Sequence, residues 1–180
     1  PGDSSLSACA QAILAAEVGY SALAVEYFYR ALFVDLADLQ GNTVDGVHVA
    51  STGGVWTTLV QGFAGMRDLW GTMRFDPRLP EGWAGISFRL HRLGCRLLVE
   101  LTPETISFTL LDGEPVHVEV GDSRFRVGDD QPTVVTLADQ GPRIPGVAPR
   151  MAEVGVVPHV AHDTDITDLH GTASAGTNLG

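Results

Sequence analysis

The chain contains no lysine. All 11 of its basic residues are arginines, set against 22 acidic ones, for a formal net charge of -11. An acidic chain without a basic cluster is a poor partner for nucleic acid or for an anionic membrane surface. Cysteine is almost as scarce. Cys9 and Cys95 lie far apart, fit no CxxC or Cys/His metal pattern, and read as buried free thiols rather than a disulfide. No apolar run approaches the roughly 20 residues needed to span a bilayer. No basic segment followed by an apolar one opens the chain as an export signal would, which points to a cytoplasmic protein. An initiator methionine is also lacking. The sequence starts Pro1-Gly2-Asp3 and enters a helical pattern almost at once, as the interior of a longer protein would.

Hydrophobic residues make up 44% of the chain and charged ones 18%, so most of it should fold. Three textures follow one another. Residues 1 to 68 are rich in Ala and Leu. In "SSLSACAQAILAAEVGY", Leu6, Cys9, Ile13 and Leu14, with Ala10 and Ala16, recur at three- and four-residue steps. Ser4 or Ser5 would cap this helix and Gly19 would end it. "SALAVEYFYRALFVDL" repeats the period with Leu23, Tyr27, Ala31 and Val34, so the pair should form an αα-hairpin. A polar connection leads to a third helix over about 53 to 66, carrying Trp56, Leu59, Val60 and Phe63. Three helices cannot bury their apolar stripes against one another alone, which suggests the end of a larger α-domain.

From 69 to 143 the apolar residues alternate instead. Ile86, Phe88 and Leu90, then Leu97, Val99 and Leu101, then Ile106, Phe108 and Leu110 form three runs. Breaks at Leu93-Gly94, Thr102-Pro103 and Asp112-Gly113 separate them, the last reading as a hairpin turn. This is the pattern of a small antiparallel β-sandwich or jelly roll. Residues 144 to 180 lose all periodicity and read as a mostly disordered tail. The fold class is therefore α+β, in two modules with a tail.

One stretch of the connection concentrates small and polar residues: "GVHVASTGGVW", residues 46 to 56. It has two readings. Ser51 or Thr52 is an N-cap, Gly46 a turn residue and His48 a loop histidine. Alternatively, Ser51, Gly53 and Gly54 bring a hydroxyl and N–H groups to a helix N-terminus, where orphan donors and the positive dipole end hold an anion. His48 would add a hydrogen bond or a charge, and adjacent glycines would let the backbone approach an oxyanion. The stretch is neither a Walker loop nor a Rossmann fingerprint.

"SSLS" at 4 to 7, "DLADLQGNTVDGVHVASTGGVWTTLVQGFAGMRD" at 35 to 68 and "RFDPRLPEGWAGISFRLHRLGCRLLVELTPETISFTLLDGEPV" at 74 to 116 occur in one order. Together they resemble the C-terminal end of glycoside hydrolase family 65, the family of inverting maltose, trehalose and kojibiose phosphorylases and of some hydrolases. The resemblance implies that residues 1 to 68 are the last helices of an (α/α)6 catalytic barrel. Residues 69 to 143 would be its small C-terminal β-sandwich. It also implies a phosphate-binding loop made of His48, Ser51, Thr52, Gly53 and Gly54, with Ser4, Ser5 and Ser7 lining the same pocket. Inorganic phosphate would be a co-substrate, with no other cofactor. The family's acid glutamate matches no motif here and would lie upstream of Pro1, so this chain alone should be inactive. The full-length parent would be a homodimer acting on a disaccharide. A family hydrolase, or a non-catalytic remnant or accessory module, remains the alternative.

Other clusters carry less. His159, His162 and His170 among Asp163, Asp165 and Asp168 fit no zinc spacing, so no metal site is expected. Trp56 reads as a packing residue, and Trp70 and Trp83 as residues that pack the β-module against the helices. The arginines of "FRLHRLGCR" alternate as an exposed strand face would.

Overall fold

The computed structural model describes residues 7–128, 131–138 and 140–142. Ser4, Ser5 and the expected tail at 144 to 180, with its three histidines, lie outside the described residues. The remainder is α+β: helices first, then two four-stranded sheets.

Helix α1 runs Ser7–Val18 and α2 Ser21–Leu36. The turn between them follows from Gly19, whose φ is +87°. Its N–H donates to the Ala16 carbonyl at 3.0 Å, and that of Tyr20 to Ala15 at 2.8 Å. This is a Schellman close, which a glycine in the left-handed region makes without strain. The buried face of α1 differs from the expected Leu/Ile stripe. Ala8, Cys9, Ala12, Ala15 and Ala16 are buried, while Leu14 is 62% exposed. Two helices approach α1 so closely that only small side chains fit between them, and packing overrides hydrophobicity in choosing the inner face. On α2 the inner residues are Leu23, Ala24, Phe28, Ala31 and Val34, with Phe28 in place of the expected Tyr27.

A single 3-10 turn, Thr43–Asp45, lies in the connection to α3, Val49–Thr57. The third helix thus begins four residues earlier than the sequence pattern suggests. It runs on as one π-helical stretch, Thr58–Phe63. Val60 and Phe63 are fully buried, whereas Trp56 is half exposed.

Strand β1 (Arg67–Leu69) begins just before the expected module boundary and pairs with β2 (Thr72–Phe75) through the two-residue turn Trp70-Gly71. Both turn residues have positive φ, +55° and +83°, as a type I′ hairpin requires. Trp70 sits at the tip, wholly exposed, and does not pack the modules together as expected. Strands β3 (Ile86–Arg92), β4 (Cys95–Leu101) and β5 (Thr105–Asp112) form a meander joined by β8 (Thr133–Thr136). Register pairs Phe88 with Val99 and Val99 with Phe108, so the three alternating runs share one face. The other sheet has the order β1-β2-β6-β7, with β6 at Val116–Val120 and β7 at Ser123–Val127.

Two details depart from a simple antiparallel sandwich. β2 and β6 pair in parallel. Asp112-Gly113 does not turn a hairpin; the chain leaves one sheet there and enters the other. Gly113 has φ +95°, and a Cβ on it would collide with the Gly94 carbonyl and with Cys95. Close backbone approach, rather than hairpin geometry, requires that glycine. One core fills the space between the sheets, including Phe75, Val118 and Val127 from the first and Leu97, Val99 and Phe108 from the second.

Helices and sheets meet at Phe63. Its ring lies edge-on to Phe28 at 5.5 Å and to Trp83 at 5.2 Å. Its carbonyl accepts the Arg78 N–H at 2.7 Å. Trp83 therefore does knit the two parts, unlike Trp70. Gly65, at φ +61°, lets the chain turn against the backbone of Asp76, where a Cβ would clash.

Candidate functional site

The connection between α2 and α3 is held at its base by two aspartates, Asp35 in the last turn of α2 and Asp38 just beyond its end. Asp38 accepts the Thr43 N–H at 3.1 Å. Asp35 accepts twice from His48: the backbone N–H at Oδ2, 2.8 Å, and the ring Nδ1 at Oδ1, 2.5 Å. The ring's hydrogen bond, with the backbone bond adding to it, holds the Asp35 carboxyl below the usual carboxylate range. The Asp38 carboxyl is lowered too, chiefly by the Thr43 N–H.

His48 is the N-cap of α3, and its carbonyl accepts the N–H groups of Ser51 at 2.9 Å and Thr52 at 3.1 Å. Its side chain is about three-quarters buried. Thr52 and Gly53 follow on the exposed side of the first turns. A Cβ added to Gly53 would meet no atom within 4 Å. Thr52 and Gly53 therefore face outward at the N-terminal end of α3, next to a His48 ring that is only partly exposed.

Ser51 and Gly54 are placed differently. Ser51 is fully buried, and its hydroxyl lies 3.4 Å from the Ala31 carbonyl on α2. The Cys9 thiol points at the Ser51 carbonyl from α1. A Cβ on Gly54 would run into the Cys9 sulfur. Thr58, also fully buried, donates to the Gly54 carbonyl at 2.9 Å. These small residues form the seam along which α3 lies against α1 and α2. Cys9 and Cys95 are both free and buried, and burial pushes both thiols up. Ser7 opens α1, half-buried.

The sequence reading gathers five residues into one loop. Thr52 and Gly53 face outward, His48 is partly exposed against Asp35, and Ser51 and Gly54 face the helices behind. It misses Asp35, which stands 13 residues before His48. An aspartate in the last turn of α2 is the one signal it leaves, and no short motif carries that spacing.

Among the described residues no helix is long and apolar enough to cross a membrane, and no three His, Cys, Asp or Glu side chains cluster as metal ligands would.

Comparison with known proteins follows the same division of the chain. Residues 2–57 match the glycosyl hydrolase family 65 central catalytic domain, and residues 66–127 match the family 65 C-terminal domain. An uncharacterized glycosyl hydrolase of Mycobacterium leprae is 42% identical over 145 residues, covering 79% of this chain and 18% of the relative. An alpha,alpha-trehalose phosphorylase of Thermoanaerobacter brockii is 42% identical over 123 residues, 68% of this chain and 16% of the relative. A solved structure of a putative kojibiose phosphorylase from the human microbiome superposes with a TM-score of 0.70 at 23% identity, over 76% of this chain and 20% of that one. The chain thus spans less than a fifth of the length of these curated relatives. It belongs to glycosyl hydrolase family 65, with its helices matched in the central catalytic domain and its sheets in the C-terminal domain.

Proposed function

We propose that this chain is part of an inverting disaccharide phosphorylase acting on an alpha-glucoside such as trehalose or maltose, and that it supplies the phosphate site. The observation that supports this reading is the start of α3, where Thr52 and Gly53 are exposed beside a partly exposed His48 ring fixed by Asp35. A histidine ring, a threonine hydroxyl 3.4 Å from the His48 carbonyl and a helix N-terminus are neighbours there, three features that favour an oxyanion. Ser51 and Gly54 serve it from behind by seating α3 against α1 and α2. Family resemblance adds Ser4, Ser5 and Ser7 to the proposed lining, the first two lying outside the described residues.

In such an enzyme, a phosphate oxygen attacks the anomeric carbon while the bond to the departing oxygen breaks. A carboxylic acid protonates that oxygen. The acid belongs to the remainder of the protein, in the larger α-domain of which α1 to α3 would be the end. The contribution of this chain is positional. A mobile dianion held in line for attack needs neither a nucleophilic side chain nor a metal from these residues. On this reading the isolated chain is inactive.

Kinetics of the full-length protein decide the matter. Cleavage of trehalose, maltose or kojibiose should require inorganic phosphate and release a sugar phosphate. His48→Gln should raise the phosphate KM about tenfold, the loss of one charge-assisted hydrogen bond, and leave the disaccharide KM nearly unchanged. Cleavage without phosphate, yielding only free sugars, would make the protein a hydrolase.

A further inference from the structure

We propose that Asp35 is a positioning residue for phosphate, acting through His48. The inference rests on the phosphate reading above. One carboxylate holds both the backbone N–H and the ring Nδ1 of His48, at 2.8 and 2.5 Å. The first bond fixes where the chain enters α3. The second fixes the rotation of the ring and commits one of its two nitrogens.

The consequence lies in the other nitrogen. An ionised carboxylate only accepts, so Nδ1 is the donor and carries a proton. The neutral ring then presents Nε2 as a lone pair, able to accept the P–OH hydrogen of hydrogen phosphate. The protonated ring presents Nε2–H as a donor to a phosphate oxygen, and Asp35 balances its charge. Either way the same atom faces the ligand. Among the described residues Nε2 has no hydrogen-bond partner. Second partners of this kind orient histidines in metal sites by the same geometry. Asp38, one turn further on, is bonded to Thr43 instead and makes a matched control.

Titration calorimetry of the full-length protein with inorganic phosphate tests the inference without needing the disaccharide. Asp35→Asn keeps the size of the side chain but can no longer accept both bonds as a charge. It should weaken phosphate about tenfold, and so should His48→Gln. The double variant should be no weaker than His48→Gln alone, because Asp35 acts through the ring that is already gone. Asp38→Asn should bind as the parent does. Asp35→Ser serves the same cycle if the amide is not tolerated in the fold. Unchanged affinity in Asp35→Asn, losses that multiply in the double variant, or an equal loss in Asp38→Asn would overturn the role of Asp35. Unchanged affinity in His48→Gln, or no phosphate binding by the parent, would instead remove the phosphate reading, and this inference with it.

Discussion

Gly53 and Gly54 are neighbours with opposite surroundings. A Cβ at Gly53 would project into open space, and one at Gly54 would strike the Cys9 sulfur. Glycine inside a helix costs about 0.5–1 kcal/mol relative to alanine, because it gives up more chain freedom. Gly53→Ala should therefore stabilise the protein by about that amount in urea unfolding. Gly54→Ala should destabilise it by about 1–3 kcal/mol, the usual cost of forcing an atom into a packed core. If both changes shift the midpoint in the same direction, α3 does not pack against Cys9 through Gly54. The outward placement of Gly53 also separates its two possible roles. A variant that gains stability and loses phosphate affinity would show a glycine kept for close approach of a ligand.

At the scale of elements, the junction between α2 and α3 depends on two carboxylates. Asp35 and Asp38 both have folded-state values below their unfolded ones, held down by bonds from His48 and Thr43. Such groups contribute stability above the unfolded carboxylate value of about 3.9, and the contribution fades as pH falls through the lowered folded values. The melting temperature should thus hold from neutral pH to about pH 4 and fall below it. In Asp35→Asn and Asp38→Asn that acid fall should be shallower, with the starting value already reduced. An equally steep fall in both variants would place the acid-sensitive groups elsewhere. The seam between α3 and the first two helices obeys a different rule, since its inner residues are alanines, a cysteine, a serine, a threonine and a glycine. Close approach of helices is bought there with volume rather than with large apolar side chains.

At the scale of the molecule, helices and sheets share a joint at Phe63 and Trp83, although most of each core is separate. Val60, Ala64 and Met66 pass from the end of the third helix into the core between the sheets. Phe63 touches Phe28 on one side and Trp83 on the other. Truncating it to alanine should cost about 3–5 kcal/mol, as for other fully buried phenylalanines. Because the joint belongs to both parts, helical and β signals should shift together in circular dichroism and fluorescence. A loss confined to one signal would mean that the two modules unfold independently.

Periodicity alone settled much of this architecture. The αα-hairpin closing on Gly19, and the three alternating runs whose apolar members meet in register, were readable because each depends on residues close in sequence. Spacing sets which side of a strand faces inward, and the pleat leaves no choice once one face is buried. Tertiary contact decided the rest. It turned Leu14 outward in favour of alanines, drew α3 back to Val49, paired β2 with β6 in parallel, and made Gly113 a close-approach residue instead of a hairpin turn. At the candidate site the sequence singled out a segment but could not say which of its residues face inward. Ser51 and Gly54 face inward because Ala31 and Cys9 occupy the other side, and Asp35 meets His48 only because α2 and α3 are packed together. Local chemistry is written in neighbouring residues, whereas orientation and partnership depend on what lies across the fold.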